Sequence, residues 1–197
     1  MTDFNILLFD DFETLDAFGP AEIIGRLMDI YRLNYFSLKG GIVTSRQKIK
    51  VSTSPVEEIN TSGILLIPGG MGTRTLVNDE SAISTIKELC EKSLYTLTVC
   101  TGSALLAKTG LIKNMPATSN KISFEWVKSV DNDVIWQKQA RWVVSGKYYT
   151  SSGVSAGMDM TLGFIEDIND LESAEKCAKE IEYIWNKDKS FDPFSIV

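Results

Sequence analysis

The chain has 197 residues, of which 44% are hydrophobic and 23% charged, with a formal net charge of −6. This composition is typical of one globular domain, over residues 1–197, that buries its own core. The acidic balance, with no run of Lys or Arg, argues against nucleic acid as a partner. No apolar stretch approaches the ~20 residues that span a bilayer, and the start MTDFNILLFDDFE is acidic where a signal peptide is basic. We therefore expect a cytoplasmic protein that does not bind membranes.

The residue types present limit the available chemistry. The chain has three Cys and no His. An odd number of Cys without C-x-x-C spacing argues against a disulfide framework or a zinc site, so we expect free thiols and no bound metal. The lack of His removes the commonest general base. Any reaction must therefore use carboxyl groups, hydroxyls, thiols and backbone amides.

Apolar runs and helical patterns alternate along the first half of the chain. Residues 4–9 predict a strand, and residues 20–28 predict a helix with Pro20 in its first turn. The remaining segments of this half predict strands at 33–38, 50–53, 63–67 and 94–99, and helices at 81–90 and after Cys100.

The second half predicts three further helices and a hairpin. The helices cover 123–130, a segment that opens at the glycine-bearing run 152–157 and reaches Ile168, and 173–185, with an irregular tail after it. Residues 141–145 and 147–151, joined at Ser145-Gly146, predict an antiparallel hairpin at the edge of the sheet. Continuous apolar strands that alternate with helices predict a mainly parallel sheet covered on both faces, which is a three-layer α/β sandwich.

The segment VCTGSALLA, residues 99–107, places Cys100 between a predicted strand and a predicted helix. Ligands bind beyond the carboxyl ends of the strands in open α/β sheets, and the glycine turn after Ile67 reaches the same edge. A thiol at a helix N-terminus lies near the positive end of the helix dipole, so we expect the pKa of Cys100 to be lowered from ~8.5. The alternative is a small core residue, because free Cys is often buried. The position at a strand end favours the nucleophile.

Four motifs are similar to those of a known superfamily: Leu15-Asp16-x-x-Gly19-Pro20-x-Glu22, Ile67-Pro68-Gly69-Gly70-x-Gly72, Val99-Cys100-Thr101-Gly102-Ser103, and the run TSSGVSAGMD from Thr150 to Asp159. Together they resemble the ThiJ/PfpI superfamily, most closely its isocyanide hydratase branch, over nearly the whole chain. The resemblance implies a flavodoxin-like sheet of the class I glutamine amidotransferase type. It also implies a homodimer and a small-molecule substrate, without a cofactor.

Roles for individual residues follow from the same resemblance. It implies that Cys100 is the nucleophile and that Asp16 is the carboxyl group beside it, which donates and accepts protons. Thr101 matches a position whose hydroxyl is implicated in the hydratases, and the backbone amides of Gly70 and Thr101 match the anion-stabilising pair. Gly153 is expected on the substrate-binding side. The implied reaction converts an isocyanide into an N-substituted formamide.

Other interpretations of these residues remain open at this level. Asp16 could cap a helix that begins near Pro20, and Gly69 and Gly70 could be simple turn glycines. Two further functions also remain open. One is a glyoxalase- or deglycase-like reaction on 2-oxoaldehydes, and the other is a non-catalytic redox or ligand sensor that uses Cys100.

Two positions depart from the family pattern. Protease-like members have His directly after the nucleophile, where this chain has Thr101, so a Cys-His dyad cannot form and proteolysis is disfavoured. Many hydratase-like sequences carry Thr-Thr-His-Trp where this chain has Thr118-Ser119-Asn120-Lys121. We therefore expect the pocket or the subunit contact near Asn120 to differ from that of the hydratases.

Overall fold

The computed structural model describes residues 1–196, which form ten strands and seven α-helices. The strands are β1 (Thr2–Leu7), β2 (Tyr31–Ser37), β3 (Gly41–Thr44), β4 (Lys50–Pro55), β5 (Ile64–Ile67), β6 (Tyr95–Thr98), β7 (Pro116–Ala117), β8 (Ile135–Trp136), β9 (Trp142–Ser145) and β10 (Tyr148–Ser151). The helices are α1 (Thr14–Ile24), α2 (Thr73–Leu76), α3 (Glu80–Lys92), α4 (Gly102–Lys108), α5 (Phe124–Val130), α6 (Ala156–Ile168) and α7 (Leu171–Glu180).

Eight of the strands form one sheet in the order β3-β4-β2-β1-β5-β6-β10-β9. The six inner strands pair in parallel, whereas β3 and β9 are antiparallel strands at the two edges. The strands β7 and β8 form a separate parallel pair. The predicted, mainly parallel sheet is therefore confirmed, as is the hairpin that was expected at its edge.

The helices form two groups that flank the sheet. In one group α6 packs against α1 and α7, and in the other α4 packs against α3 and α5. Strand β5 has the sequence ILLI and is buried at every position, as expected for a parallel strand covered on both faces. The three-layer α/β sandwich predicted from the sequence is confirmed.

The first helix differs from its prediction. It begins at Thr14 and contains Pro20 in its interior, so the proline does not mark the first turn. Proline lacks an amide hydrogen and removes one intrahelical hydrogen bond, but it does not end the helix here. The earlier start places Asp16 inside α1 and orients its side chain by the helix.

The last helix was predicted to reach Trp185 but ends at Glu180. Glu182 has a positive φ of 53°, which turns the chain back onto α6. The Tyr183 hydroxyl and the Trp185 indole then donate hydrogen bonds to Asp159. The sequence predicted a longer helix because the spacing of these two aromatic residues continues its apolar pattern. In the structure the two side chains form tertiary contacts outside the helix. The tail is largely irregular, as predicted, apart from a 3₁₀ turn at Pro193–Ile196.

Strand β3 was not predicted. It pairs with β4 in an antiparallel hairpin whose loop, residues 45–49, extends to the carboxyl end of β1. The backbone amide of Asp11 donates to the Thr44 carbonyl, and the Arg46 amide donates to the Phe12 carbonyl, both at 2.8 Å. The hairpin loop is therefore joined to the segment that leads into α1.

Candidate active site

Cys100 lies at a sharp turn between β6 and α4. Its φ is +58°, a left-handed conformation that is unusual for a residue with a side chain. Its amide donates to the Ser152 carbonyl, and the hydroxyls of Ser103 and Ser119 both donate to its own carbonyl oxygen. A side chain at Gly102 would lie 2.4 Å from the Ile67 carbonyl oxygen. The surrounding contacts therefore hold Cys100 in this strained conformation, with 7% of its surface exposed.

The Asp16 side chain is fully buried in the first turn of α1. Its Oδ2 accepts a hydrogen bond of 2.9 Å from the Gly69 amide, and its Oδ1 has no hydrogen-bond partner among the described residues. The capping interpretation is wrong, because the helix N-cap is Glu13 and Asp16 bonds to the glycine turn after β5. Asp16 is thus a buried carboxyl group with one unused oxygen.

Burial is the main cause that raises the pKa of Asp16, to about 7. The negative charge of Glu13 acts in the same direction, whereas the Gly69 amide and the Cys100 side chain lower the pKa. The carboxyl group can therefore be either protonated or ionised near neutral pH. A group with that property suits both the acid and the base role.

The expected lowering of the Cys100 pKa is wrong. Burial raises the pKa of this thiol, and the negative charge of Asp16 raises it further. The amides of Thr101 and Val154 act in the opposite direction but are outweighed. Helix α4 has only seven residues, so its dipole offers little compensation. Two adjacent buried acidic groups hold at most one negative charge between them, and the sulfur becomes a thiolate when Asp16 accepts its proton.

Thr101 joins the turn at Cys100 to the glycine turn after β5. Its hydroxyl accepts a 3.0 Å hydrogen bond from the Gly70 amide and lies 3.2 Å from the Thr73 hydroxyl. The Gly70 amide is therefore already bonded to Thr101. The amides that favour a negative charge on the sulfur belong to Thr101 and Val154.

Gly70 lines the same cavity as Cys100. The backbone conformation and the close packing at this position require a glycine. It has a φ of +121°, and an added Cβ would lie 2.4 Å from the Asp11 carbonyl oxygen and 2.5 Å from the Glu13 amide nitrogen. A side chain at this position would collide with the backbone of residues 11–13, which follow β1. The turn-glycine interpretation therefore applies to Gly70 in addition to any role of its amide.

Gly153 lines a neighbouring cavity of about 560 Å³, whereas Cys100 lines one of about 200 Å³. The two cavities share Asn120, Ile122 and Val154 in their walls. An added Cβ on Gly153 would lie 2.3 Å from the Asn120 Nδ2 atom. Gly153 therefore makes room for the Asn120 amide and does not line the cavity of the cysteine.

The Asn120 side chain is held in one orientation. Its Oδ1 accepts a hydrogen bond of 2.9 Å from the Ser123 amide. The NH₂ group consequently lies on the side of Gly153, where the two cavities meet. Asn120 supplies a hydrogen-bond donor at this point and no titratable group.

Two residues of the site were not found from the sequence as functional candidates. Val154 has a φ of +45°, which is rare for a β-branched residue, and lines both cavities. Arg46 comes from the loop after the unpredicted strand β3 and lines the cavity of Cys100. Neither position carries a sequence signal, because backbone strain and a distant hairpin are visible only in three dimensions.

Within residues 1–196, no helix is both long and apolar enough to span a membrane. Within the same residues, no cluster of three or more His, Cys, Asp or Glu side chains could hold a metal ion.

The protein is thus a mainly parallel α/β sandwich with a strained cysteine at a strand-to-helix turn and a buried carboxyl group beside it. The chain belongs to the DJ-1/PfpI family, whose model matches residues 4–167. The resemblance to the ThiJ/PfpI superfamily is therefore confirmed.

Relatives of known name support this assignment. The chain is 25% identical to an isonitrile hydratase from Pseudomonas putida over 178 residues, which cover 90% of this chain and 76% of the relative. A THiJ/PfpI family protein from Pseudomonas syringae superposes with a TM-score of 0.84 at 24% identity, over 94% of this chain and 76% of that one. DJ-1beta from Drosophila melanogaster superposes with a TM-score of 0.80 at 16% identity, over 93% and 99%.

Proposed function

We propose that this protein is a cysteine-dependent, cofactor-free hydratase that converts a small isocyanide into an N-substituted formamide. The observation that carries the proposal is the buried Asp16 carboxyl group, which has one unused oxygen and a pKa raised to about 7, beside the nucleophile candidate Cys100. The similarity to an isonitrile hydratase supports the choice of substrate.

In the first half of the reaction, Asp16 takes the proton of the Cys100 thiol. The thiolate forms a carbon–sulfur bond to the terminal carbon of the isocyanide, and Asp16 returns the proton to that carbon. The product of these steps is a thioimidate, R–N=CH–S–Cys, in which all atoms of the thiol and the isocyanide are retained.

In the second half, water adds across the C=N bond of the thioimidate. Asp16 accepts a proton from water as the hydroxyl group bonds to carbon, and it returns the proton to nitrogen. The adduct then loses its hydroxyl proton to Asp16 as the carbon–sulfur bond breaks, and the sulfur leaves with the bonding electrons. The products are R–NH–CHO and the Cys100 thiol, after Asp16 has returned the proton to sulfur. One water is consumed and no redox partner is needed.

Backbone amides supply the remaining stabilisation. We assign the amides of Thr101 and Val154 to the negative charge on sulfur, because both favour the thiolate. The Thr101 hydroxyl holds the Gly70 amide in place and could release it to a substrate during the reaction. No histidine is required in this scheme.

We also propose that the protein is a cytoplasmic homodimer. Its three cysteines are free and buried, which suits a reducing compartment. Ile122 and Phe194 are exposed apolar side chains, 97% and 61% accessible, that line the 560 Å³ cavity and would suit a contact between copies.

The test measures turnover of p-nitrophenyl isocyanide by the purified protein. Turnover of methylglyoxal is measured separately, because it represents the alternative substrate class. We expect formamide from the wild type and background rates from Cys100→Ser, because the Asp16 carboxylate, with a pKa of about 7, is too weak a base to activate a serine hydroxyl. Cys177→Ser is the matched control, since Cys177 is a buried thiol on α7, and it should retain activity. Mass spectrometry of the acid-quenched wild type should find the full mass of the isocyanide added at Cys100.

Two results would overturn the proposal. Turnover of methylglyoxal without turnover of any isocyanide would favour the glyoxalase-like alternative. Oxidation of Cys100 by peroxide, in a protein that turns over neither class, would favour the sensor.

A further inference from the structure

Arg46 differs from the other arginines of the chain in its contacts. The sequence contains five Arg, and four of their side chains have partners: Arg26 with Glu22, Arg32 with Asp3, Arg74 with Ser123 and Arg141 with Asp159. Within residues 1–196 the Arg46 guanidinium makes neither an ion pair nor a hydrogen bond. Its five N–H donors are therefore available to a ligand.

The Arg46 guanidinium, unpaired within residues 1–196, lies near the candidate nucleophile. Arg46 lines the 200 Å³ cavity that also contains Cys100 and Thr101. In so small a cavity, a group bound by the guanidinium belongs to the same small molecule that reaches the sulfur. Glu13, the acidic side chain of the wall, accepts a 2.6 Å hydrogen bond from the Gln47 side-chain amide, and within residues 1–196 it forms no ion pair with Arg46.

The backbone beneath Arg46 is firmly attached to the site. Its amide donates a 2.8 Å hydrogen bond to the Phe12 carbonyl. The next residue, Gln47, accepts hydrogen bonds from the Thr14 amide and hydroxyl at the start of α1. The loop that carries Arg46 is thereby joined to the helix that carries Asp16. The Arg46 side chain is exposed, and its point of attachment is constant relative to the proposed acid-base group.

The net charge of the chain makes a local cation important for any anionic ligand. The protein carries a net charge of −6, which repels anions in general. A planar guanidinium without a partner binds a carboxylate through two parallel hydrogen bonds. We infer that Arg46 is a specificity-determining residue that selects substrates bearing a carboxylate close to the electrophilic carbon. The inference rests on the proposed role of Cys100 as the nucleophile.

The first test compares alkylation of Cys100 by iodoacetate and by iodoacetamide, which differ in charge and little in size. The rate constants are measured for the Cys100 peptide by mass spectrometry, so that the two core cysteines do not contribute. We expect the ratio of iodoacetate rate to iodoacetamide rate to fall about three- to tenfold in Arg46→Gln. The ratio isolates recognition of the anion, because any change in the thiol itself affects both reagents.

Two variants serve as controls for this ratio. Arg26→Gln makes the same change in net charge at a surface arginine outside the cavity, and it should keep the wild-type ratio. Arg46→Lys keeps the charge but loses the planar pair of donors, so it should restore the ratio in part. Added salt should lower the ratio in the wild type, because it screens the guanidinium, and it should not lower the ratio in Arg46→Gln.

The second test uses turnover. We expect the wild type to hydrate isocyanoacetate with a higher kcat/KM than methyl isocyanoacetate, and Arg46→Gln to lose that preference mainly through KM. An alkylation ratio and a substrate preference that are equal in the wild type and in Arg46→Gln overturn the inference and leave the hydratase proposal in place. A changed ratio in a protein that hydrates neither compound overturns the hydratase proposal and keeps the anion site. A protein in which Cys100 reacts with neither reagent and neither isocyanide is hydrated overturns both.

Discussion

Asp16 and Asp159 are both fully buried carboxyl groups, but their surroundings differ. Asp159, on α6, accepts hydrogen bonds from Arg141 Nε and Nη2 at 2.6 and 2.5 Å. Its other oxygen accepts from the Tyr183 hydroxyl at 3.1 Å and from the Asn186 amide at 2.9 Å. Both oxygens of this carboxylate have hydrogen-bond partners, and Arg141 balances its charge, as expected for a buried charge with a structural role.

Asp16 has one hydrogen bond, from Gly69, and its Oδ1 has no partner among the described residues. Burial raises the pKa of both carboxyl groups, but at Asp159 the charge of Arg141 opposes the rise. Burial alone therefore does not make a carboxyl group reactive. An oxygen without a protein partner, next to a nucleophile, is what distinguishes Asp16.

The largest expected effect is on activity. Asp16→Asn keeps the shape and the hydrogen bond from Gly69 but cannot move a proton. We expect turnover of p-nitrophenyl isocyanide to fall by roughly 10²–10⁴, the usual contribution of a positioned general acid or base. The variant should unfold at pH 7.5 at no lower urea concentration than the wild type, since it replaces a poorly compensated buried charge with a neutral group.

The outcome for Asp16→Asn separates two roles. Normal turnover would remove Asp16 from the mechanism and leave it a structural contact to the glycine turn. A loss of turnover that accompanies a loss of stability would show that the variant disturbs the fold, and the size of the catalytic effect would then have to come from the pH profile.

The second prediction concerns Asp159. Asp159→Asn removes the partner of Arg141 and leaves a buried guanidinium with only the more distant Asp192, at 3.7 Å. We expect the free energy of unfolding to fall by about 3 kcal/mol, as in other broken buried ion pairs. The catalytic constant of the folded protein should change much less than in Asp16→Asn. Urea titration and a turnover assay on one preparation measure both quantities, and an equal catalytic loss in the two variants would erase the contrast.

The smallest expected effect, about tenfold per pH unit, is in the pH dependence of the wild type. The reactive pair must have lost one proton, and the pKa of Asp16 is raised to about 7. The value of kcat/KM should therefore fall as the pH decreases below about 7 and level off above it. Asp16→Asn should lack this limb. A wild-type profile that stays flat down to pH 5 would contradict the assignment.

The raised pKa of Asp16 also determines how its contribution to the free energy of unfolding changes with pH. The folded state keeps the Asp16 proton to a higher pH than the unfolded state does. The contribution of Asp16 to stability is therefore fully present below about pH 4 and is lost as the pH rises to about 7. The stability difference between Asp16→Asn and the wild type should consequently shift in favour of the variant over this range.

Much of the fold could be predicted because apolar periodicity reports burial directly. The inner strands and most helices follow from continuous apolar runs and from helical spacing. The exceptions have a common cause, which is tertiary contact. Pro20 lies within α1. Tyr183 and Trp185 lie beyond the end of α7 and donate hydrogen bonds to Asp159. Strand β3 forms through its pairing with β4.

Apolar patterning predicts the class of fold and the position of the nucleophile candidate, because Cys100 follows an apolar strand and precedes an apolar helix. The chemical state of the site depends on the packing of the elements. This packing buries Cys100 beside Asp16, which raises the pKa of the thiol where the helix pattern predicted a decrease. It also brings Arg46 from a distant hairpin into the same cavity. Desolvation and long-range contact depend on how the elements pack, and neither leaves a local pattern in the chain.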